Sequence, residues 1–323
     1  MRVLVTGAQG CIGAWVVKGL LDRGADVLIY DQEPNPARLA LITSPRTAAR
    51  VAVETGRIED TARVKSLVKD GGITHIVHLA AVLMPFCQAQ PVMGAMINII
   101  GTLNVFEAVR DAGRDVRIVY ASSSAVWGPG EAYEEKYLSE DQPLKPATHY
   151  GVFKQSNESN ARVFHTTNGI HSIGLRPWTV YGVGRDGGLT ADPTIALKAV
   201  ALEKPFQIRL TGFMDFQYVE DVAETFVRCL LSGVDGAHVF NLAGDVARIE
   251  EFIELIDKLD PGAARWITAA GPQVPVAYRM DASQLHAHVN DIPKTSLADG
   301  ITKTLALYRS LRAEGRLTPE LGI

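Results

Sequence analysis

Tyr150 and Lys154 are the residue pair with the clearest capacity for chemistry in this sequence of 323 residues. They stand four positions apart in a segment with helical periodicity, so both side chains project from one face, one turn apart. A phenol can donate a proton to a carbonyl oxygen and take one back from an alcohol. To do so near neutrality its pKa must fall from about 10 by roughly 3, and a neighbouring ammonium with a second positive charge in the cleft can supply that change.

Three glycines mark a second candidate site near the N-terminus. Gly7, Gly10 and Gly13 lie directly between a predicted strand and a predicted helix. A tight turn needs Gly7, close approach of a pyrophosphate is easiest at Gly10, and packing of strand on helix favours Gly13. The first amides of the helix face the phosphates, which makes Cys11 and Ile12 part of the predicted dinucleotide site.

An acidic residue ends the second predicted strand. Asp31 follows Gly13 by 18 positions, where a carboxylate can accept hydrogen bonds from the adenosine ribose. The same charge repels a 2′-phosphate, so NAD is favoured over NADP as the cofactor. Arg57 and Ile58 follow the third strand, where adenine contacts are expected. Arg57 tempers the preference for NAD, because a guanidinium can bind phosphate.

Three consecutive serines, Ser122, Ser123 and Ser124, come directly after another predicted strand. They fall at the carboxyl edge of the sheet, where ligands bind in folds of this kind. A hydroxyl there can polarise a substrate oxygen beside Tyr150, and the spacing leaves open which serine acts. The apolar loop 82–87 after the fourth strand is predicted to line the substrate pocket, with Met84 as a contact.

Short β-branched runs alternate with helical periodicity through the first half of the chain, which predicts a parallel sheet with helices on both faces. The predicted strands are 3–5, 27–30, 51–53, 76–79, 118–121 and 173–175, and the predicted helices are 12–21, 92–109, 150–164 and 219–230. The expected fold class is α/β, a doubly wound Rossmann sheet. Glycine and proline crowd together after residue 176 and indicate that the chain leaves the sheet. We therefore predict an NAD-binding domain (1–176 and 215–244) and a smaller, discontinuous substrate domain (177–214 and 245–323).

Composition argues against several other classes of protein. Hydrophobic residues make up 47% of the chain and its net charge is −4, so no basic field favours nucleic acid. The three cysteines are widely spaced, without a CxxC pair or a Cys/His cluster, and predict no metal site. The short apolar run before Gly7 is unlike a signal peptide, and no run of about 18 apolar residues is apparent. We expect a cytoplasmic protein without a membrane or nucleic-acid partner.

Taken together, these motifs resemble the extended short-chain dehydrogenase/reductase family, also called the NAD-dependent epimerase/dehydratase family. The likeness runs nearly end to end, through TGAQGCIG at 6–13, HLAA at 78–81, NIIGTLN at 98–104, SSSAVWG at 122–128, YGVFK at 150–154, LRP at 175–177 and DFQYVEDVA at 215–223. The resemblance implies that Ser123 is the catalytic hydroxyl, because it lies four residues before the aromatic Trp127. It also implies NAD contacts from Leu79, Ala80, Ala81, Asn98, Tyr150, Lys154 and Pro177. A homodimer built as a four-helix bundle from helices 92–109 and 150–164 is the assembly that it implies.

Two positions depart from the members of that family that act on nucleotide sugars. Those members usually carry Asn where this chain has Thr179, and Arg where it has Met214. Both family residues normally serve the sugar or the diphosphate. Together with the apolar loop 82–87, their replacement favours a small or partly apolar hydroxy compound, although a sugar-like alcohol stays open. Arg185 or Arg209 can compensate for the lost arginine, although we expect a solvated surface position for each. The candidate substrate contacts are Met84, Ser123, Ser124, Trp178 and Thr179.

Three functions remain open from the sequence. The leading hypothesis is an oxidoreductase that moves hydride between NAD and a secondary alcohol or its ketone. The second is a nucleotide-sugar epimerase or dehydratase that retains NAD and returns the hydride within one turnover. The third is a sensor that binds NAD(H) without chemistry, which the intact pair of Tyr150 and Lys154 argues against.

Overall fold

The computed structural model of the protein describes residues 1–188 and 190–320. Within them the strands are β1 (Arg2–Thr6), β2 (Asp26–Asp31), β3 (Ala52–Thr55), β4 (His75–His78), β5 (Arg117–Ala121), β6 (Ser172–Arg176), β7 (Thr179–Tyr181), β8 (Phe206–Ile208), β9 (Phe213–Tyr218), β10 (Ala237–Asn241), β11 (Asp245–Arg248) and β12 (Ile267–Ala269). The α-helices are α1 (Cys11–Asp22), α2 (Ala37–Ile42), α3 (Pro45–Ala48), α4 (Thr61–Asp70), α5 (Met84–Ala89), α6 (Pro91–Ala95), α7 (Gly101–Ala112), α8 (His149–Asn168), α9 (Asp192–Leu202), α10 (Val219–Leu231), α11 (Ile249–Leu259), α12 (Ser283–His288) and α13 (Leu297–Ala313).

The main sheet is parallel and has the strand order β10-β6-β5-β4-β1-β2-β3 among the described residues. The chain runs outward from β1 to β3, returns to the other side of β1, and continues outward from β4. The connections after β1 and β4 therefore diverge and open a crevice at the carboxyl edge of the sheet. The expected α/β, doubly wound Rossmann sheet is confirmed.

Alternate side chains of β1 divide the core into two layers. Val3 and Val5 point into the cluster that contains α1 and α10, whereas Leu4 points into the cluster that contains α4 and α7. Both faces of the sheet are therefore covered, as the near-continuous apolar strands require. This packing fixes the strand ends that carry the candidate site.

Two elements differ from the sequence-based expectation. β10 pairs with β6 at the edge of the sheet and was not predicted as a strand. The predicted helix 92–109 is interrupted by a π-helical turn, Met96–Ile100, between α6 and α7.

The whole segment Pro91–Ala112 is long and apolar enough to cross a membrane by length and composition alone, and half of its most apolar 18 residues are buried inside the protein. Asn98, Thr102 and Asn104 interrupt its apolar residues, so it is not a continuous run of about 18 apolar residues, and a partly buried core helix can have the same composition.

The remaining strands form smaller sheets beside the main one. β9 joins β7 and β11, and β8 pairs with β12. The predicted substrate segments 177–214 and 245–323 contain most of these strands, although β9 runs across the boundary at 214. The final three positions of the second segment lie outside the described residues, and the division into two domains stays a prediction.

Candidate active site

The glycine turn between β1 and α1 has little room for side chains. Gly7 has a φ of +69°, and a Cβ atom there would lie 2.4 Å from the backbone nitrogen of Ala80. A Cβ at Gly13 would lie 2.5 Å from the carbonyl oxygen of Gly7. Gly10 precedes α1, and no described side chain caps the first turn of that helix. The amides of Cys11 and Ile12 are therefore available to an anion such as a pyrophosphate.

A cavity of about 290 Å³ lies beside this turn and is suited to an adenosine. The carboxylate of Asp31 stands in its wall and accepts hydrogen bonds from the amides of Gln9 (2.9 Å) and Glu33 (3.1 Å). Arg57 also lines the cavity, but its guanidinium pairs with Glu59 at 2.6 Å. Ile58 lines the same cavity.

A second cavity, of about 310 Å³, continues from the glycine turn towards α8. Gly7, Gly10, Leu79 and Ala81 line both cavities. The two spaces together reach from Asp31 past the uncapped start of α1 to the predicted catalytic residues. An extended dinucleotide therefore fits the residues that the chain offers, with its phosphates on the glycine turn.

Asn98, a predicted NAD contact, does not face the space that a cofactor would occupy. It lies 1% exposed beneath the loop after β4 and lines neither cavity. Its side chain bonds the backbone nitrogen and oxygen of Val82 at 3.1 and 3.0 Å. Its backbone carbonyl accepts hydrogen bonds from the side-chain amide of Asn157 at 2.9 Å and from the hydroxyl of Thr102 at 2.7 Å. Asn98 therefore holds the loop that follows β4, and through it the cavity wall.

The first two turns of α8 carry the predicted catalytic pair into the second cavity. The hydroxyl of Thr148 caps this helix by accepting from the amide of Gly151 at 3.1 Å. A Cβ at Gly151 would lie 2.1 Å from the carbonyl oxygen of Ala125, so the helix packs directly on the serine loop. Tyr150 and Lys154 both line the cavity, with the Lys154 ammonium 5.6 Å from the centre of the Tyr150 ring.

Burial dominates the acidity of this pair. Lys154 is 4% exposed and donates to the carbonyl oxygen of Ala121 at 2.7 Å. Burial lowers the pKa of Lys154 to about 8, against the opposing effects of Cys87 and Glu158. Burial also raises the pKa of Tyr150 to about 12, although a hydrogen bond with Ser123 opposes the change. The protein groups alone therefore do not lower the Tyr150 pKa, and the expected decrease also depends on the positive charge of an oxidised nicotinamide.

The three serines have separate hydrogen-bond partners. Ser122 donates to the carboxylate of Glu158, which is itself paired with Arg176 at 2.8 Å in the core. Ser124 donates to the carbonyl oxygen of Pro177 at 2.9 Å. Ser123 accepts a hydrogen bond from the backbone nitrogen of Ala125 at 3.1 Å, and it lines the cavity close enough to Tyr150 to oppose the rise in the Tyr150 pKa, so it is the best placed of the three to face a substrate oxygen.

The walls of the second cavity are mainly apolar. Met84 and its neighbours after β4 form one wall, and Trp178 lies on another, with its indole nitrogen donating to the carbonyl oxygen of Ala277 at 2.7 Å. A third wall comes from residues 274–276, between β12 and α12, which no motif in the sequence indicated. Pro177 lines the cavity, whereas Thr179 is fully buried in β7 and does not.

Of the two arginines on the substrate side, Arg185 differs from the expectation, whereas Arg209 has the expected surface position with its side chain 71% exposed. Arg185 lines the cavity, and its charge is close enough to lower the Tyr150 pKa, so its predicted surface position was wrong. Its Nη2 donates to the hydroxyl of Thr190 at 3.3 Å, and its Nε has no partner among the described residues. Arg209 is bound by Asp192 at 2.7 Å and does not line this cavity. Arg185 and Lys154 are the cations of the cavity wall as far as the structure describes it.

These features define a class of enzyme. The doubly wound sheet has a cleft that can hold a dinucleotide, and a tyrosine, a lysine and a serine lie at the end of that cleft. This arrangement is typical of a nicotinamide-dependent oxidoreductase. The family model for the NAD dependent epimerase/dehydratase family matches residues 3–243. The chain therefore belongs to that family, and it is an enzyme whose cofactor is NAD. The sensor hypothesis is not retained.

Individual relatives agree with this assignment. The UDP-glucose 4-epimerase of Lactobacillus helveticus is 29% identical over 263 residues, which are 75% of this chain and 76% of that protein. The structure of the UDP-glucose 4-epimerase of Thermus thermophilus in complex with NAD is 26% identical and has a TM-score of 0.80, covering 96% of this chain and 99% of that one. L-threonine dehydrogenase from Clostridium difficile shares the fold, with a TM-score of 0.83 at 20% identity over 98% and 99% of the two chains.

Proposed function

We propose that this enzyme oxidises the secondary alcohol of a small hydroxy acid, or reduces the matching keto acid, with net turnover of NAD. Bound NAD supplies the hydride acceptor or donor. Tyr150 exchanges a proton with the substrate oxygen, and the hydroxyl of Ser123 orients that oxygen. Lys154 contributes its positive charge, which favours the phenolate form of Tyr150 and can hold the ribose hydroxyls of the cofactor.

The single observation that carries the choice of substrate is the position of Arg185. Its guanidinium lines an otherwise mainly apolar cavity, has a nitrogen without a described partner, and lies near Tyr150. A substrate with a carboxylate close to its alcohol would satisfy both residues at once. Arginine is well suited to that role, because its planar fork matches a carboxylate.

The substrate side of the second cavity offers fewer cations than the diphosphate of a nucleotide sugar requires. Met214 is fully buried in β9, and Arg209 is held by Asp192 outside this cavity. One arginine is then left for a group that carries two phosphates. The volume of about 310 Å³ must also hold part of the cofactor, which favours a small substrate.

The test is a panel of hydroxy acids and of neutral alcohols of matched shape, assayed with NAD by the appearance of NADH absorbance. The Arg185→Met variant should lose about 1.5–3 kcal/mol of binding to an acid in the transition state, or about 10–150-fold in kcat/KM. The neutral alcohols serve as the control, because Arg185→Met should leave their turnover unchanged. An equal loss for acids and neutral alcohols would contradict the proposal.

A second candidate is a nucleotide-sugar 4-epimerase, which the similarity to UDP-glucose 4-epimerases favours. Such an enzyme would convert a UDP-sugar without net production of NADH and would keep its cofactor through purification. Incubation with UDP-glucose and UDP-glucuronate, followed by analysis of the sugar products, separates the two candidates. Conversion of either sugar together with inactivity towards every hydroxy acid would replace the first proposal by the second.

We further propose a cytoplasmic homodimer with the two domains predicted above. Apolar side chains on the segment 91–112 and on α8 support the pairing, since Val92 is 79% exposed and Val163 is 57% exposed. Met96 and Val152 add further exposed apolar area on the same two elements. A four-helix bundle between two copies would cover these side chains.

A further inference from the structure

An ion pair joins the adenosine side of the cleft to the loop before α9. The guanidinium of Arg38, on α2, donates to the carboxylate of Asp186 at 2.6 and 3.2 Å. It also donates to the carbonyl oxygens of Gly184 (3.1 Å) and Gln9 (2.7 Å). The two side chains are 26% and 34% exposed, so solvent screens this pair only in part.

Arg38 lies beside Asp31, whose carboxylate is expected to accept hydrogen bonds from the adenosine ribose. Asp31 binds the backbone nitrogen of Gln9, and Arg38 binds the backbone oxygen of the same residue. Both side chains line the adenosine cavity. A guanidinium in that place is the group that would bind a ribose 2′-phosphate if it were available.

Each described cation of the adenosine cavity is held by a carboxylate. Arg57 is paired with Glu59, which lines the same cavity. Arg38 is paired with Asp186, which comes from a loop 148 positions away in the sequence and is not part of the cavity wall. The charge that would attract a 2′-phosphate is therefore neutralised from outside the cofactor site.

We propose that Asp186 is a residue that determines cofactor selectivity. Because Asp186 pairs with the guanidinium of Arg38, this cation is not available to bind the 2′-phosphate of NADP, and NAD is favoured. Asp31 discriminates by repulsion within the cavity, whereas Asp186 acts through Arg38. Because Asp186 lies in the predicted substrate segment, a change there alters the choice of cofactor without altering any residue that lines the adenosine cavity.

The test is the ratio of the dissociation constants for NADP and NAD, measured by titration calorimetry on the Asp186→Asn variant. Asparagine keeps the size of the side chain but removes its charge, so the ratio should shift towards NADP by roughly tenfold. The matched control is Asp260→Asn, because Asp260 is similarly exposed at 29% and is paired with Arg309 at 2.5 Å, away from the cofactor cavities. That control should leave the ratio unchanged.

Two further measurements separate this role from a merely structural one. If Asp186 only fixes its loop, the affinities for NAD and NADP change by the same factor and the ratio stays constant, which overturns the proposal. In the double variant Arg38→Met with Asp186→Asn, the shift towards NADP should vanish, and its persistence would also overturn the proposal. The shift in Asp186→Asn alone should shrink as salt is raised, since it depends on charge; a shift that is insensitive to salt contradicts the mechanism.

Discussion

Replacement of Lys154 by methionine should make the cofactor-free protein more stable at neutral pH while removing its activity. Burial lowers the pKa of Lys154 from 10.5 to about 8, which corresponds to about 3 kcal/mol at roughly 1.4 kcal/mol per pKa unit. Methionine fills the same space without a charge. It also loses the hydrogen bond to the carbonyl oxygen of Ala121, at a cost of about 1–2 kcal/mol. The variant should therefore gain about 1–2 kcal/mol at pH 7.

The stability difference between Lys154→Met and the wild-type protein should depend on pH. The unfolded chain keeps the Lys154 proton up to a pH near 10.5, whereas the folded protein releases it near pH 8. Between these values the unfolded state binds more protons, so the stability of the wild-type protein rises with pH. Methionine does not titrate. The advantage of Lys154→Met should be complete below pH 8 and should disappear as the pH approaches 10.5.

The assay is the thermal unfolding midpoint of both cofactor-free proteins at a series of pH values from 7 to 10. Lys145→Met is the control, because the ammonium of Lys145 also donates to a backbone carbonyl, that of Ala132 at 2.6 Å, but lies at the exposed surface. A difference between Lys154→Met and wild type that stays constant over this range would refute the burial argument. Equal behaviour of the two variants would refute it as well.

Three other outcomes are expected. Gly7→Ala should bind NAD more than about tenfold more weakly and unfold at a lower temperature than the control Gly24→Ala. Both positions have positive φ, but only Gly7 has neighbours within 4 Å. Equal losses of NAD affinity in the two variants, measured by calorimetry, would contradict this prediction. Ser123→Ala should lower kcat by roughly 10–100-fold without changing the affinity for NAD, and a change in NAD affinity would point to a structural role. Val92→Glu should convert a dimer to a monomer in analytical ultracentrifugation, whereas an unchanged mass would exclude that interface.

The first half of the fold could be predicted because its signals are local. The strand before Gly7, the helix after Gly13 and the acid at position 31 follow each other within one β-α-β unit, where periodicity and turn chemistry decide the structure. The same holds for Tyr150 and Lys154, whose spacing fixes a shared helix face. The π-helical turn at Met96–Ile100 was missed, because helical periodicity does not distinguish one widened turn within a long apolar helix.

The substrate side could not be predicted in the same way, since its walls meet only through tertiary contacts. The position of Arg185 in the cavity depends on how the loop 182–188 folds back over the start of α1. Residues 274–276 reach the same cavity from more than a hundred positions beyond α8, with no motif to mark them. The burial of Tyr150 could not be predicted for a related reason, because spacing indicates a neighbouring charge but not the depth of burial that opposes its effect on the pKa.

The variant Tyr150→Phe shows whether the hydroxyl of Tyr150 transfers the proton in the reaction. The variant keeps the ring that packs in the cleft and removes only the hydroxyl. We predict that kcat with the best substrate falls by about 10²–10⁴-fold, while the dissociation constant for NAD, measured by calorimetry, stays within about threefold. If Tyr150→Phe retains most of the wild-type kcat, the Tyr150 hydroxyl is not the group that transfers the proton.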